Sequence, residues 1–178
     1  RALAVAKELQ ATTRVGAGRA SVAGVAVDLA ERVFGDLRHV TALLLGTGDT
    51  GHLTLRHLRD AGVRRCLLAS QTGARAAEAA AAAGVEAVPE GGLADAMADA
   101  DLVVTATAGA GAPVVTLATL REALRRRKQR PLVVIDLGVP RNVDPAAATL
   151  DNVFCYDVDG LAAVVEGNLR ARAAEVAV

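Results

Sequence analysis

Six consecutive residues, Gly46-Thr47-Gly48-Asp49-Thr50-Gly51, have the spacing G-x-G-x-x-G. That spacing suits a phosphate ester. The first glycine allows a tight turn, the second lets the backbone approach a pyrophosphate with no Cβ in the way, and the third lets a helix pack close to a sheet. The pattern carries weight only between a strand and a helix. Ala42-Leu43-Leu44-Leu45 has the length and flanks of a buried parallel strand. After the glycines, Leu53, Leu55, Leu58 and Ala61 fall on or near one face of a helix that Gly62 ends. Phosphates would then meet the unpaired N–H groups and the positive dipole end of that helix. A dinucleotide is the ligand such a loop fits.

A second group of residues bears on which dinucleotide. Folds that hold NAD place Asp or Glu at the end of the second strand, roughly twenty residues past the glycines, on the ribose 2′-OH. That place reads Ala69-Ser70-Gln71-Thr72, with no acid. Hydroxyls at Ser70 and Thr72, Gln71 between them, and a guanidinium at Arg75 favour the 2′-phosphate of NADP. Thr107 and Gly109 end a later strand and either contact the nicotinamide ribose or only turn the chain. Gly138, Val139 and Pro140 end another strand on the same edge, with Pro140 also able to rigidify its turn. Arg141 either anchors a substrate or pairs with Asp144, and the ion pair is the expected outcome. Asp136 reads as structural, and Asp49 as a carboxylate favoured by a helix dipole. His39, His52 and His57 have no partner pattern and read as surface or packing residues. No residue is assigned a catalytic role, and no metal site is expected.

These residues need elements to position them. A helix end over residues 1–10 and a polar linker over 12–20 precede Ser21, which caps a helix running through Phe34 with Val22, Val25, Ala26, Leu29 and Val33 as its stripe. Strands are expected over 42–45, 64–69, 85–88, 101–106, 131–137 and 152–158. Helices are expected over 74–83, 93–98 and 116–128 (Leu117, Leu120 and Leu124 inward), and from Leu161 to Val178. Six short apolar strands alternating with helices mean an α/β, doubly wound Rossmann-type parallel sheet with flanking helices. The expected strand order is 3-2-1-4-5-6, with right-handed crossovers and the ligand crevice between strands one and four. The expected organisation is a helical linker over 1–38, a dinucleotide-binding domain over 39–160, and the start of a C-terminal helix over 161–178.

Composition sets limits. The 178 residues hold 20 basic and 20 acidic side chains, so nothing pushes the whole chain towards nucleic acid or an anionic membrane. Aromatics are 2%, too few for base-stacking platforms. Cys66 and Cys155 lack metal spacing and read as core residues in a reducing compartment. No apolar run reaches the ~18 residues of a membrane span, so a cytoplasmic protein is expected. The first residue is Arg1 rather than Met, which suggests a fragment or a processed product. The basic run Arg121, Arg125, Arg126, Arg127, Lys128 and Arg130 reads as charge complementing a helix C-terminus plus a solvated face, in preference to an RNA contact.

Four stretches together resemble the NADP-binding domain of glutamyl-tRNA reductases. They are Ser21-Val22 through Phe34-Gly35-Asp36-Leu37, the loop Leu45 to Gly51, the segment Val134-Ile135-Asp136-Leu137-Gly138-Val139-Pro140-Arg141-Asn142-Val143-Asp144-Pro145, and Asp151 to Asp159 with Leu161, Val164 and Val165. The last two are the specific ones. The resemblance implies the NADPH-dependent reduction of glutamate esterified to tRNA, giving glutamate-1-semialdehyde for tetrapyrrole (porphyrin) synthesis. A cysteine nucleophile in a preceding catalytic domain forms a thioester there, and NADPH delivers hydride to it. Neither Cys66 nor Cys155 matches that nucleophile. This oxidoreductase fragment would bind cofactor, be inactive alone, and meet glutamyl-tRNA only through the missing domain. Homodimerisation would belong to the full-length chain.

The chain also departs from the family. Where the family has Asn-Arg-Thr after strand two, this chain has Ser70-Gln71-Thr72, although Arg75 matches a family arginine. The stretch from Lys7 to Thr13 is less arginine-rich, and the loop over 107–113 is slightly longer. Two other readings remain: another small NADP-dependent reductase of shikimate-dehydrogenase type, which the segment from Asp136 to Pro145 argues against, and a non-catalytic module binding a nucleotide or a protein.

Overall fold

A computed structural model describes residues 21–108, 111–164 and 166–167. The expected helix over 1–10, the linker over 12–20 and Gly109 lie outside the described residues. Ser21 caps helix α1 (Val22–Phe34), its hydroxyl accepting from the Gly24 N–H at 3.1 Å. There follow strand β1 (Thr41–Leu45), helix α2 (Asp49–Asp60), β2 (Arg65–Ala69), α3 (Gly73–Ala83), β3 (Glu86–Ala87), α4 (Leu93–Asp99), β4 (Leu102–Thr105), α5 (Leu117–Arg126), β5 (Leu132–Asp136) and β6 (Val153–Asp157). Short 3-10 turns occupy Leu37–His39 and Pro145–Thr149. Residues 158–164 are helical, so the terminal helix starts directly after β6 rather than at Leu161.

All six strands pair in parallel in the order β3-β2-β1-β4-β5-β6, as the alternation of strands and helices predicts. Successive strand side chains face opposite layers. Ala42, Leu44, Val133 and Ile135 join α1, α2 and Ala80 of α3 on one face. Leu43, Leu45, Leu132 and Val134 join Met97 of α4 and Leu120 of α5 on the other. The chain therefore doubles back at β1, and the C-terminal ends of β1 and β4 open side by side.

Three expectations change. Val33 is 45% exposed, because α1 buries seven of its first nine residues while its last turn emerges from the layer. Strand β3 keeps only two residues, both exposed, at the sheet edge. Arg127 is 1% exposed and not part of a solvated face. Its guanidinium donates to the carbonyls of Met97 (2.7 Å) and Ala98 (3.2 Å) and to that of Ala100, which closes the C-terminus of α4. Burial and the nearby Arg130 push its pKa down from the usual guanidinium range. Among the described residues no helix is long and apolar enough to cross a membrane.

Candidate dinucleotide cleft

The glycine loop has three separate reasons for its glycines. Gly46 has φ +126°, and a Cβ there would lie 2.4 Å from the Ala106 carbonyl oxygen. Gly51 is buried in the first turn of α2, and its Cβ would lie 2.3 Å from the Gly46 carbonyl oxygen. Gly48 is extended backbone that any residue adopts, yet a Cβ on it would meet nothing within 4 Å. Two glycines thus let backbones touch, and the third leaves open space. That open space fronts the start of α2, which no side chain caps. The His52 N–H is the first to find a helical acceptor, the Gly48 carbonyl at 2.9 Å. The N–H groups of residues 49–51 are left for a ligand or solvent.

A cleft of about 410 Å³ opens there, between β1 and β4. Gly46, Thr47, Gly48, Ser70, Gln71, Arg75 and Thr107 line it with Ala106 and Ala108, so seven of the residues singled out in sequence converge on one place. Beside it lies an apolar slot of about 210 Å³ between Leu45, Ala69, Val88, Pro89 and Val114, which shares Ser70, Gln71 and Thr107 with the cleft. The Thr107 hydroxyl oxygen is the one buried side-chain polar atom without a hydrogen-bond partner among the described residues.

Other expected site residues stand elsewhere. The Thr72 hydroxyl accepts from the Arg75 backbone N–H at 3.4 Å and caps α3, and Thr72 is not among the residues lining the cleft, although its O–H keeps a proton to donate. Asp49 and Thr50 line a different cleft of about 300 Å³ with Val139, Leu137 and the start of α1. Gly138 is buried, whereas Val139 and Pro140 are exposed. Arg141 pairs with Asp157 and not with Asp144, whose carboxylate accepts from the Ala146 N–H at 2.9 Å and caps the following turn. His39 and His52 are exposed and His57 half-buried. Cys66 is buried in β2, and Cys155 is half-buried on β6. Burial pushes each thiol up to about 11.

Sequence reasoning passed over the connections that hold this edge together. Asp136 is 4% exposed. One of its oxygens accepts from the Thr105 hydroxyl (2.7 Å) and the Gly138 N–H (2.9 Å). The other accepts from the N–H groups of Asn142 (2.8 Å) and Val143 (2.9 Å). A carboxylate with four donors is satisfied in place, and it folds the loop after β5 around itself. The signal in sequence was an acid at a strand end. Asn142 gave no signal beyond its place in the distinctive segment.

Comparison with known proteins places this geometry among relatives. The sequence model of the Shikimate / quinate 5-dehydrogenase family matches residues 28–164. The chain is 38% identical over 175 residues to a glutamyl-tRNA reductase of Nitratidesulfovibrio vulgaris, covering 98% of this chain and 40% of that relative. It is 37% identical to the solved glutamyl-tRNA reductase of Methanopyrus kandleri, with a TM-score of 0.78, covering 98% of this chain and 44% of that one. A Thermus thermophilus shikimate 5-dehydrogenase solved with NADP(H) and shikimate shares the fold at 22% identity and a TM-score of 0.52, covering 76% of this chain and 49% of that one. The chain spans about two fifths of the length of the curated relative it matches.

Proposed function

The chain belongs to the Shikimate / quinate 5-dehydrogenase family, and on that premise we propose that it is the NADP-binding part of a glutamyl-tRNA reductase. The observation that carries the reading is the uncapped start of α2 behind the open face of Gly48, in a cleft that also holds an unpaired Thr107 hydroxyl. Backbone N–H groups at a helix start favour a pyrophosphate. Ser70 and Arg75, on the β2 side of the same cleft, would hold a 2′-phosphate. The adjoining slot between Val88, Pro89 and Val114 suits an adenine ring. The loop over 138–142, anchored by Asp136, lies on the β5 side and would border the nicotinamide half.

When bound, NADPH would supply the hydride for reduction of an acyl group. In this reading the chain's residues bind and orient the carrier, and neither cysteine serves as the nucleophile. Cys66 and Cys155 are buried or half-buried, and their raised pKa values leave almost no thiolate at neutral pH. In the whole enzyme the thioester-forming cysteine and the contacts to glutamyl-tRNA would come from outside this chain. With 20 basic and 20 acidic residues, the chain alone should bind tRNA poorly.

Calorimetric titration with NADPH and with NADH tests the proposal. NADPH should bind at least about tenfold tighter, since a charge-assisted phosphate contact contributes on the order of 1.5–3 kcal/mol. Arg75→Glu should abolish that preference. Equal affinity for both, or binding of neither, overturns the NADP reading.

A further inference from the structure

Asn142 is 0% exposed and reaches no cleft itself. Its side-chain oxygen accepts from the Thr107 N–H at 3.0 Å, and its side-chain nitrogen donates to the Thr107 carbonyl at 3.2 Å. Its own backbone carbonyl accepts from the N–H groups of Val114 (2.7 Å) and Val115 (2.9 Å). One residue therefore grips the loop after β4 near its start and at its end. The amide also lies flat against Gly138: a Cβ there would fall 2.3 to 2.6 Å from its Cγ, Oδ1 and Nδ2. Asn142 is itself fixed by its backbone N–H on the Asp136 carboxylate. The two bonds hold the two peptides that flank the Thr107 Cα, which fixes the backbone there and so the direction in which the Thr107 side chain leaves it. That side chain carries the unpaired hydroxyl beside the glycine loop.

We infer that Asn142 is a positioning residue for the cofactor cleft, holding the Thr107 backbone on both sides of its Cα so that the Thr107 hydroxyl donates to a bound dinucleotide. The inference rests on the dinucleotide reading of the cleft. Among side chains of this size, an amide serves both backbone groups of Thr107, because the N–H needs an acceptor and the carbonyl needs a donor. Asn142→Asp keeps the size and the acceptor but turns an oxygen towards the Thr107 carbonyl. Asn142→Ala removes both bonds and opens a void, so it is the poorer probe.

A double-mutant cycle on NADPH affinity tests the link. Asn142→Asp and Thr107→Val should each weaken NADPH about tenfold, and the double variant should be no weaker than about tenfold, since both remove one donated bond. Thr107→Ser, which restores the hydroxyl, should recover most of the affinity. Additive losses near a hundredfold, or wild-type affinity in Asn142→Asp, would overturn the inference while leaving the dinucleotide reading intact. Should Asn142→Asp not fold, equal affinity of Thr107→Val and the wild type would overturn it. A wild-type chain that binds neither NADPH nor 2′,5′-ADP would sink the dinucleotide reading and this inference with it.

Discussion

Gly48 and Gly51 are three residues apart and do opposite things. At Gly51 an added methyl meets a backbone carbonyl that has nowhere to go. Gly51→Ala should therefore lower stability by about 1–3 kcal/mol, the usual cost of overpacking, as a drop in the urea midpoint. At Gly48 the same methyl meets no protein atom and the backbone is ordinary. Gly48→Ala should keep the wild-type midpoint and lose NADPH affinity by tenfold or more, because the methyl occupies the phosphate's approach. A Gly48→Ala variant that binds NADPH normally would show that no phosphate comes near this residue. The position of both glycines between a strand and a helix was legible in sequence, because spacing and flanking apolar runs encode it. Thr72 was legible only as a hydroxyl near the right place. That its oxygen also accepts from the first turn of α3 depends on one rotamer, which spacing does not carry.

At the level of elements, α4 and α5 depend on a contact that no local pattern announces. Arg127 looks in sequence like its neighbours Arg125 and Arg126. Three of its five carbonyl acceptors lie 27 to 30 residues earlier, at the end of a short helix, and the other two belong to Arg130 and Pro131 just after it. Arg127→Ala should cost about 3 kcal/mol by urea unfolding, from buried carbonyls left without donors and the space opened. Arg125→Ala, at an exposed position, should stay within about 0.5 kcal/mol. Equal effects would mean that the guanidinium contributes only surface charge. The strands themselves were legible almost to the residue, since runs such as LVVID, buried on both faces, allow little else. Strand β3 was overestimated at its start because the Val85 N–H turns back to the Ala80 carbonyl, whereas Val88 still donates to the Leu68 carbonyl of β2 at 2.8 Å just past the paired residues.

For the whole molecule, the neutral thiols couple stability to alkaline pH. Cys66 and Cys155 rise from 9.0 to about 11 in the folded state. Stability is then fully present below pH 9 and is lost as pH climbs through 11, because the unfolded chain releases those protons first. Urea unfolding at pH 8, 9.5 and 10.5 should show that decline, and a Cys66→Ala/Cys155→Ala variant should flatten it. An identical slope in that variant would assign the decline to other groups. The strand order and the crevice between β1 and β4 followed from the alternation of elements, since few windings satisfy right-handed crossovers. The clamp around Asp136 and Asn142 did not, because it joins loops that only the finished sheet brings together. The first helix has a consequence for anyone who wishes to move this unit into another protein. Ala23, Val25, Ala26, Val27, Leu29 and Ala30 belong to the same core cluster or burial layer as the strands. A graft cut just before β1 would arrive with one flank of its sheet bare and would be prone to clump; the smallest portable piece starts at Ser21, where the helix cap is.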